Sequence, residues 1–416
     1  MNSLKTLNKY FFRYKTKLIL GILFIFLSNA AQVYIPILLK DSVDALQKHL
    51  SNEIIIKYAL LIVGTAIFGG VFRFLIRTTI IIVSRRIEFD LRSDFWEHIQ
   101  KLPTRFFQNN STGNIMAHAT NDISAVRMYI GPAVMYSIDT ISKFIIIIVI
   151  MLNLNVWLTI YALIPLPILS FLVYKLSKKI HSRFTKIQEK FSELSSKAQE
   201  SFSGIRVIKS YVREQDEIKQ FTKLGKDYLN RNMEMVKIQA FFMPMLFMIT
   251  GISVIVVIWI GGSMVIEGTL TLGEIIAFIA YLSLLIWPVI AFGWVINIIQ
   301  QASASMKRLL KIFAEIDDVE DSADSVKTKV EINGGIEFNN VSFKYGKELP
   351  NVLNNINLKI PVGSSLAIVG HTGSGKSSLI NLIPRLFDVS AGEILIDEID
   401  VKQIPKSILR KSIGLV

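Results

Sequence analysis

A glycine-rich run towards the C-terminal end of the chain contains the residue types that bind phosphate. Residues 370–377 read Gly-His-Thr-Gly-Ser-Gly-Lys-Ser and fit the pattern G-x-x-x-x-G-K-[ST]. Glycines let the backbone curl so that its N–H groups point at phosphate oxygens, and the start of a helix adds its positive dipole end. Lys376 is expected to reach the β- and γ-phosphates, and the Ser377 hydroxyl is expected to hold Mg²⁺. The predicted nucleotide-binding residues are Gly370, His371, Thr372, Gly373, Ser374, Gly375, Lys376, Ser377 and Ser378.

The segments on either side of this run are those that a phosphate loop requires. Residues 366–369 (Leu-Ala-Ile-Val) are strand-like, and residues 378–383 (Ser-Leu-Ile-Asn-Leu-Ile) are helix-like. The alternative is a Gly/Ser-rich turn that matches the pattern by chance. The predicted strand and helix favour a site for a nucleoside triphosphate.

The composition is that of a membrane protein with a polar part. The chain has 416 residues, 51% of them hydrophobic, and a mean hydropathy of +0.45, which is too apolar for a soluble enzyme of this length. The absence of cysteine excludes disulfides, thiolate metal sites and thiol catalysis. The net charge of +13 is spread between apolar runs and is not gathered into one basic domain, so nucleic-acid binding is not expected.

Six apolar runs are long enough to cross a bilayer, which needs about 20 residues of helix. They cover residues 18–39, 54–83, 128–152, 156–174, 241–266 and 275–299. The first run contains Ser28-Asn29-Ala30, which resembles a signal-peptide cleavage site. Because its apolar character continues through residues 33–39, an uncleaved span is the favoured interpretation.

The distribution of Lys and Arg predicts the orientation of these spans. The segment before the first span is basic, and residues 175–237 are crowded with Lys and Arg. By contrast, the link at 153–155 is uncharged, and the link between the last two spans carries Glu267 and Glu274 without a base. The positive-inside rule therefore places the N-terminus, the two long loops and the C-terminal region in the cytoplasm of a cell (plasma or inner) membrane protein, on the side where ATP is found.

The second long loop is predicted to be helical. Its apolar residues are spaced by three and four, and a helix that is unbroken from 174 to 210 would be roughly 50 Å long. Such a stripe indicates packing against neighbouring helices and no chemistry. The stripe comprises Ile180, Phe184, Ile187, Phe191, Leu194 and Ala198.

Polar residues within the spans allow two interpretations. Arg73 and Arg77 lie about 20 residues into the second span, where snorkelling to the cytoplasmic interface is favoured over a substrate site. Four further polar residues could line a polar pathway or could form hydrogen bonds between helices. They are Asn29, Gln32, Asn297 and Gln300.

Six spans with long helical loops, followed by a phosphate-loop domain, resemble exporter-type (type IV) ABC half-transporters, in particular MsbA-like multidrug and lipid exporters. The segment with Phe106-Phe107, Thr112-Gly113 and Asn121-Asp122 is similar to the family's first coupling region, and residues 204–209, leading to Glu214 and Phe221, are similar to the second. The resemblance implies an all-α transmembrane domain of six helices with long cytoplasmic extensions, followed by the N-terminal part of an α/β P-loop ATPase domain. We predict the transmembrane domain at 1–313, a linker at 314–334 and the ATPase part at 335–416.

The start of the ATPase part carries a further candidate residue. Residues 336–345 (Ile-Glu-Phe-Asn-Asn-Val-Ser-Phe-Lys-Tyr) are similar to the family's opening strands, and Tyr345 falls on the A-loop aromatic that stacks on adenine. The alternative is an aromatic side chain in a small core.

The family's catalytic residues lie beyond the resembling segment. Residues 409–416 form an apolar, strand-like stretch that in the family leads to the Q-loop glutamine, so no catalytic residue is expected in this fragment. Asp397-Glu398 follows apolar residues and looks like a Walker B acid. Its neighbours resemble instead an antiparallel strand of the family, in which a turn glycine is common where Glu398 stands.

The resemblance implies an ATP- and Mg²⁺-dependent exporter of a small lipophilic substrate, drug or lipid, that works in the membrane as a homo- or heterodimer with a second half-transporter. The alternative is a non-catalytic membrane protein that binds ATP weakly or silences a full-length partner. Because the chain ends within an apolar, strand-like stretch, the favoured interpretation is a fragment of such an exporter.

Overall fold

The computed structural model describes residues 2–48, 52–317, 319, 321, 332–346 and 348–415. Their contacts define two compact units. One unit comprises the described parts of 1–10, 85–128 and 301–416. The other comprises residues 11–84 and 129–300.

The N-terminal three quarters of the chain is helical. The α-helices are α1 (Asn8–Arg13), α2 (Lys15–Gln47), α3 (Asn52–Ile76), α4 (Ile82–Gln100), α5 (Thr104–Asn109), α6 (Thr112–Ala117), α7 (Ile123–Met128), α8 (Val134–Leu154), α9 (Val156–Leu163), α10 (Pro165–Ser203), α11 (Ile205–Ser210), α12 (Glu214–Ile266) and α13 (Leu272–Phe313). A 3₁₀-helix at Asn2–Leu7 precedes them, and π-turns occupy Arg77–Ile81, His118–Asp122 and Tyr129–Ala133. The last π-turn contains Pro132, whose missing N–H removes a regular helix bond.

The prediction of six spans is confirmed. Six continuous helical stretches are long and apolar enough to cross a membrane, and each contains one of the predicted runs. They cover Lys15–Gln47, Asn52–Gln100, Thr112–Leu154, Val156–Ser203, Glu214–Ile266 and Leu272–Phe313.

The unit of residues 11–84 and 129–300 is called the membrane unit below, and its helices are joined by apolar packing and by a few polar contacts. Tyr281 is fully buried, and its hydroxyl donates to the carbonyl of Val33 at 2.9 Å. Asp44, near the end of α2, accepts from the backbone N–H of Gly273 at 2.9 Å and so caps the first turn of α13. A side chain on Gly273 would meet the Lys40 carbonyl at 2.3 Å, so glycine permits this close approach.

The fourth span continues as a helix well beyond its apolar run, as predicted, but the helix is not unbroken over 174–210. Helix α10 ends at Ser203, and Gly204 separates it from the short α11. Glycine is a poor helix former, and the break lets α12 return beside α10. The two helices are joined by ion pairs of Lys197 with Glu217 (2.9 Å) and of Arg183 with Glu234.

The predicted apolar stripe of α10 faces α12 only in part. Ile187 is 3% exposed, and the Phe191 ring lies 5.9 Å from the ring of Tyr228 on α12. Phe184 and Phe191 nevertheless remain about half exposed. The stripe therefore packs against a neighbouring helix, as predicted, without burying all of its residues.

A small antiparallel sheet forms the C-terminal part. Strands β1 (Ile336–Phe343), β2 (Leu353–Ile360), β3 (Ala391–Ile396) and β4 (Ile399–Asp400) pair in the order β2-β1-β3-β4. Helices α14 (Lys376–Leu382) and α15 (Lys406–Lys411) complete it. The core includes Phe338, Val341, Phe343, Leu379, Ile394 and Ile404.

Two predicted strands are absent from this part. Residues 366–369 are exposed and have no strand partner among the residues that the structure describes, so their backbone groups form no ladder. Lys406–Lys411 is helical, and residues 412–415 are not in a strand, while Val416 lies outside the described residues. Much of the predicted linker, including 322–331, also lies outside them. Within its described part, Asp317 pairs with Lys406 at 2.9 Å.

Candidate functional site

The predicted phosphate loop has the backbone conformation that its glycines suggest. Gly373 and Gly375 have φ angles of +86° and +89°, which favour glycine, and α14 begins directly after Gly375. A Cβ atom on Gly375 would lie 2.8 Å from Leu353 Cδ2 and 3.2 Å from the Val352 carbonyl oxygen. The backbone conformation and the close neighbours therefore both disfavour a residue with a side chain at this position.

Lys376 lies across this loop. Its ammonium group donates to the carbonyls of Gly370 and His371, both at 2.8 Å, and lies 3.4 Å from Ser374 Oγ. Ser377 is exposed, whereas Ser378 is 6% exposed. The loop thus brings together a cation and an exposed hydroxyl at a helix start, which is the donor set that a polyphosphate with Mg²⁺ requires.

Tyr345 combines features of both interpretations that the sequence left open. Its ring packs at right angles against Phe387, with centroids 5.3 Å apart, and against Phe343 at 4.8 Å. Its hydroxyl lies 2.9 Å from Ser378 Oγ. The ring is therefore part of the small core, and the hydroxyl ties it to the first turn of the phosphate-loop helix.

Asp397 and Glu398 lie in a hairpin turn, and this confirms the interpretation that the sequence favoured over a Walker B acid. The turn joins β3 to β4, which are antiparallel, and both residues have positive φ angles, +49° and +68°. A left-handed turn explains why a glycine is common at position 398, and the glutamate adopts it at a cost of about 1 kcal/mol.

The Asp397 carboxylate holds the chain that enters β1. It accepts backbone N–H groups from Gly335 at 2.8 Å and Gly334 at 3.1 Å, and also from Asn333. Burial raises the pKa of Asp397, but the donors Gly335, Asn333 and Gly334 outweigh it and hold the pKa below its usual range. Asp397 therefore has a structural role in this turn.

Short helices occupy both segments that resemble coupling regions. Helix α6 is capped by Ser111, whose hydroxyl accepts from the backbone N–H of Asn114 at 3.3 Å. Asp122, beyond α6, is buried, and it accepts from Arg308 Nε at 3.0 Å and contacts His118 Nδ1 at 2.6 Å. The ion pair joins the first loop to the end of α13, and sequence reasoning did not predict it.

The membrane unit contains a polar cavity of about 390 Å³. Arg73 and Arg77 lie on its wall, as does Gln32. Asn29 is fully buried next to it, and its amide donates to Ser142 Oγ of α8 at 2.8 Å, which is a hydrogen bond between helices. Asn297 and Gln300 are exposed and do not line this cavity.

The family comparison agrees with both parts of the chain. The family described as "ABC transporter transmembrane region" matches residues 18–289, and the one described as "ABC transporter" matches residues 353–416. The chain belongs to the ABC transporter family. The transporter is a multi-pass membrane protein with an ATP-binding region, since the first match contains five of the predicted spans and the second contains the phosphate loop.

Individual relatives are similar over 80–99% of this chain. The "Multidrug resistance-like ATP-binding protein MdlA" of Buchnera aphidicola subsp. Schizaphis graminum is 33% identical over 97% of this chain and 69% of its own length. The "Probable multidrug resistance ABC transporter ATP-binding/permease protein YheI" of Bacillus subtilis is 30% identical over 99% and 71%. An "ATP-dependent lipid A-core flippase" of Syntrophus aciditrophicus is 34% identical over 80% and 55%.

Proposed function

We propose that this transporter couples ATP binding and hydrolysis to the outward movement of a lipophilic molecule, a drug or a lipid, across the cell membrane. The observation that carries the proposal is the arrangement of Gly375 and Lys376 in one chain with six membrane-crossing helices. A phosphate loop of this geometry serves nucleotide binding, and the helices supply a path through the bilayer.

The phosphate-loop residues have distinct proposed roles. Backbone N–H groups of 370–378 and the Lys376 ammonium hold the β- and γ-phosphates, and the Ser377 hydroxyl holds Mg²⁺. The Tyr345 ring packs on adenine through the face that Phe343 and Phe387 leave uncovered. Bound ATP supplies the phosphoanhydride bond whose hydrolysis drives the cycle.

The proposal includes a partner and an orientation. A second half-transporter, identical or different, would complete the nucleotide site and the path, with membrane lipid around both. The short helices α6 and α11, which occupy the loops resembling coupling regions, would transmit motion between the ATPase and membrane parts. The Lys and Arg content of the long loops supports a cytoplasmic location for these helices and for the phosphate loop.

Transport by a version of the protein with a complete ATPase domain tests the function. In inside-out vesicles, Lys376→Ala should abolish ATP-dependent substrate accumulation, and Tyr345→Ala should weaken ATP affinity more mildly because one stacking contact is lost. Full transport by Lys376→Ala would contradict the proposal. ATP binding without any transport or turnover would favour the alternative, a non-catalytic membrane protein that binds ATP weakly or silences a full-length partner.

The residues 1–416 by themselves give a second test of the proposed chemistry. Since the Asp397 carboxylate is used in its turn, it does not supply the acid that shares Mg²⁺ with Ser377. We therefore expect no measurable ATP turnover by this chain in liposomes. Steady turnover that is lost in Lys376→Ala would show that Asp397-Glu398 takes part in the chemistry.

Single cysteines test the orientation, because the native chain has none. Asn153→Cys and Gly268→Cys should react with an impermeant thiol reagent in intact cells, and Lys190→Cys should react only after the cells are opened. The expected contrast is all-or-none. Labelling of position 190 in intact cells would place the phosphate loop on the side without ATP and would overturn the orientation.

A further inference from the structure

The polar cavity of the membrane unit contains more positive than negative charge. Its wall includes Arg73, Arg77 and Lys143 but one carboxylate, that of Asp139. Lys143 Nζ lies 3.4 Å from Asp139 Oδ2, and the Lys143 side chain is only 7% exposed. This pair neutralises itself and leaves the charges of the two arginines.

The two arginines have no counter-charge in the part of the chain that the structure describes. Neither Arg73 nor Arg77 forms a hydrogen bond or an ion pair with a described residue. Arg73 lies on α3 and Arg77 begins the π-turn that follows it, and both residues are exposed and line the cavity. Charged side chains within a membrane face water or pair with an opposite charge, because hydrocarbon does not solvate them. The cavity therefore has an excess of two positive charges that a bound anion would balance.

The cavity lies near the middle of the membrane spans and not at their cytoplasmic ends. The same wall contains Ser28 of α2, Asp139 of α8 and Ser283 of α13, and each of these lies near the centre of its predicted span. Arg73 and Arg77 line this same cavity. Their position argues against snorkelling to the interface and supports the alternative of a ligand site.

Apart from Gln32 and the hydroxyls of Ser28 and Ser283, the remaining wall is apolar and aromatic. Ile25, Ile76, Met135 and Leu284 form part of it, together with the rings of Tyr136 and Trp287. A site that combines a few charged groups with an apolar lining binds molecules that carry both properties. An inorganic anion would leave this apolar surface uncovered.

We propose that this cavity binds an amphiphilic anion, a molecule with a phosphate, sulfate or carboxylate group and an apolar body. Arg73 and Arg77 contact the anionic group, and the apolar wall contacts the body. The inference rests on the proposed export function, for which it names the substrate class. An anionic membrane lipid and a soluble organic anion share this chemistry.

Binding of headgroup-matched probes to the chain in neutral maltoside micelles tests the proposal. Dodecyl phosphate, dodecyltrimethylammonium and a neutral dodecyl glycoside are titrated in turn, with affinities measured by calorimetry. We expect dodecyl phosphate to bind at least tenfold more tightly than the other two. Equal affinities for the three probes would show that the cavity selects apolar bulk alone and would overturn the proposal.

Arginine variants assign the selectivity to the cavity. Removing a charged hydrogen-bond donor costs about tenfold or more in affinity, so Arg73→Gln/Arg77→Gln should lose most of the preference for phosphate. Arg73→Lys/Arg77→Lys should keep it, and Arg73→Glu/Arg77→Glu should reverse it towards the cation. Arg86→Gln, at an exposed arginine five residues beyond the π-turn, is the matched control and should change nothing. An unchanged preference in the Gln and Glu variants would contradict the proposal.

Two further experiments identify the source of the ligand and separate this inference from the proposed export function. Competition by phosphatidylglycerol in nanodiscs, without competition by a soluble naphthalene sulfonate, would identify a lipid ligand, and the opposite result would identify a soluble anion. The binding measurement needs no nucleotide and is therefore independent of ATP turnover. Selective binding without ATP-dependent transport would therefore refute the export function alone, whereas transport without anion selectivity would refute this inference alone.

Discussion

The phosphate loop and the membrane cavity both present cationic side chains, but they satisfy them differently. Lys376 donates to two carbonyls of its own loop at 2.8 Å. Arg73 and Arg77 line a cavity of about 390 Å³ without an ion pair to any residue that the structure describes. The loop thus holds its cation by local geometry, whereas the charge in the cavity is balanced by water or by a bound anion.

This difference separates two ways of building an anion site. The loop residues lie within nine consecutive positions, so the site forms wherever that loop and α14 form. The cavity needs α2, α3, α8 and α13 to pack at one level, and its residues are far apart in the chain. We therefore expect the loop to tolerate changes elsewhere in the protein and the cavity to depend on the helix packing of the whole membrane unit.

The largest expected effect is a double dissociation between the two sites. Lys376→Ala should lower ATP affinity about 100-fold, because the charge on the phosphates is lost, and should leave dodecyl phosphate binding unchanged. Arg73→Gln/Arg77→Gln should do the reverse. Titration of each variant with a fluorescent ATP analogue and with dodecyl phosphate measures both, with the exposed Lys411→Ala as control. A variant that weakens both ligands would show that the two sites are coupled.

Sequence reasoning could predict the loop because its signal is local. Positive φ angles at Gly373 and Gly375 follow from the motif, and the six spans follow from runs of apolar residues. The Asp397 turn was also predictable, from the antiparallel character of its neighbours. Each of these features is determined by residues close together in the chain.

The features that sequence reasoning missed depend on distant residues. Asp122 and Arg308 are 186 positions apart, and no spacing rule connects them. The break at Gly204 lets α12 pack back along α10, and the helical pattern of one segment does not show this pairing. The strand expected at 366–369 fails because a strand needs a partner, and the pattern of one segment does not show whether a partner is present.

The second-largest expected effect tests whether the conformation of the phosphate loop is determined by its own residues and their immediate neighbours. Gly375→Ala should destabilise the ATPase part by about 1–3 kcal/mol, since the residue has φ +89° and its new Cβ would contact Leu353 and Val352. Thermal unfolding, followed by a spectroscopic signal from the ATPase part, measures this loss of stability. Gly414→Ala, where no atom lies within 4 Å of a new Cβ, is the control. Wild-type stability of Gly375→Ala would mean that the loop adopts another conformation.

The smallest expected effect concerns a local site of opposite charge, the Asp397 turn. Three backbone N–H groups stabilise the carboxylate and lower its pKa, so its contribution is present above its ordinary pKa near 3.8 and is lost as pH falls through the lowered value. Asp397→Asn should cost about 1 kcal/mol at pH 7. The difference from the native protein should then shrink below pH 3.8.

Unfolding of Asp397→Asn and of the native protein is measured at a series of pH values to obtain this difference. Glu398→Gln, on the same turn, is the matched control, because the Glu398 carboxylate accepts no hydrogen bond from the described residues. ATP affinity should not change in either variant, because the turn holds the entry to β1 and not the nucleotide. A large loss of ATP affinity in Asp397→Asn, with stability intact, would return this residue to the nucleotide site. The Asp397 carboxylate would then contact the nucleotide as well as hold its turn. Charges that stabilise local structure and charges that bind a ligand could then no longer be told apart in this way.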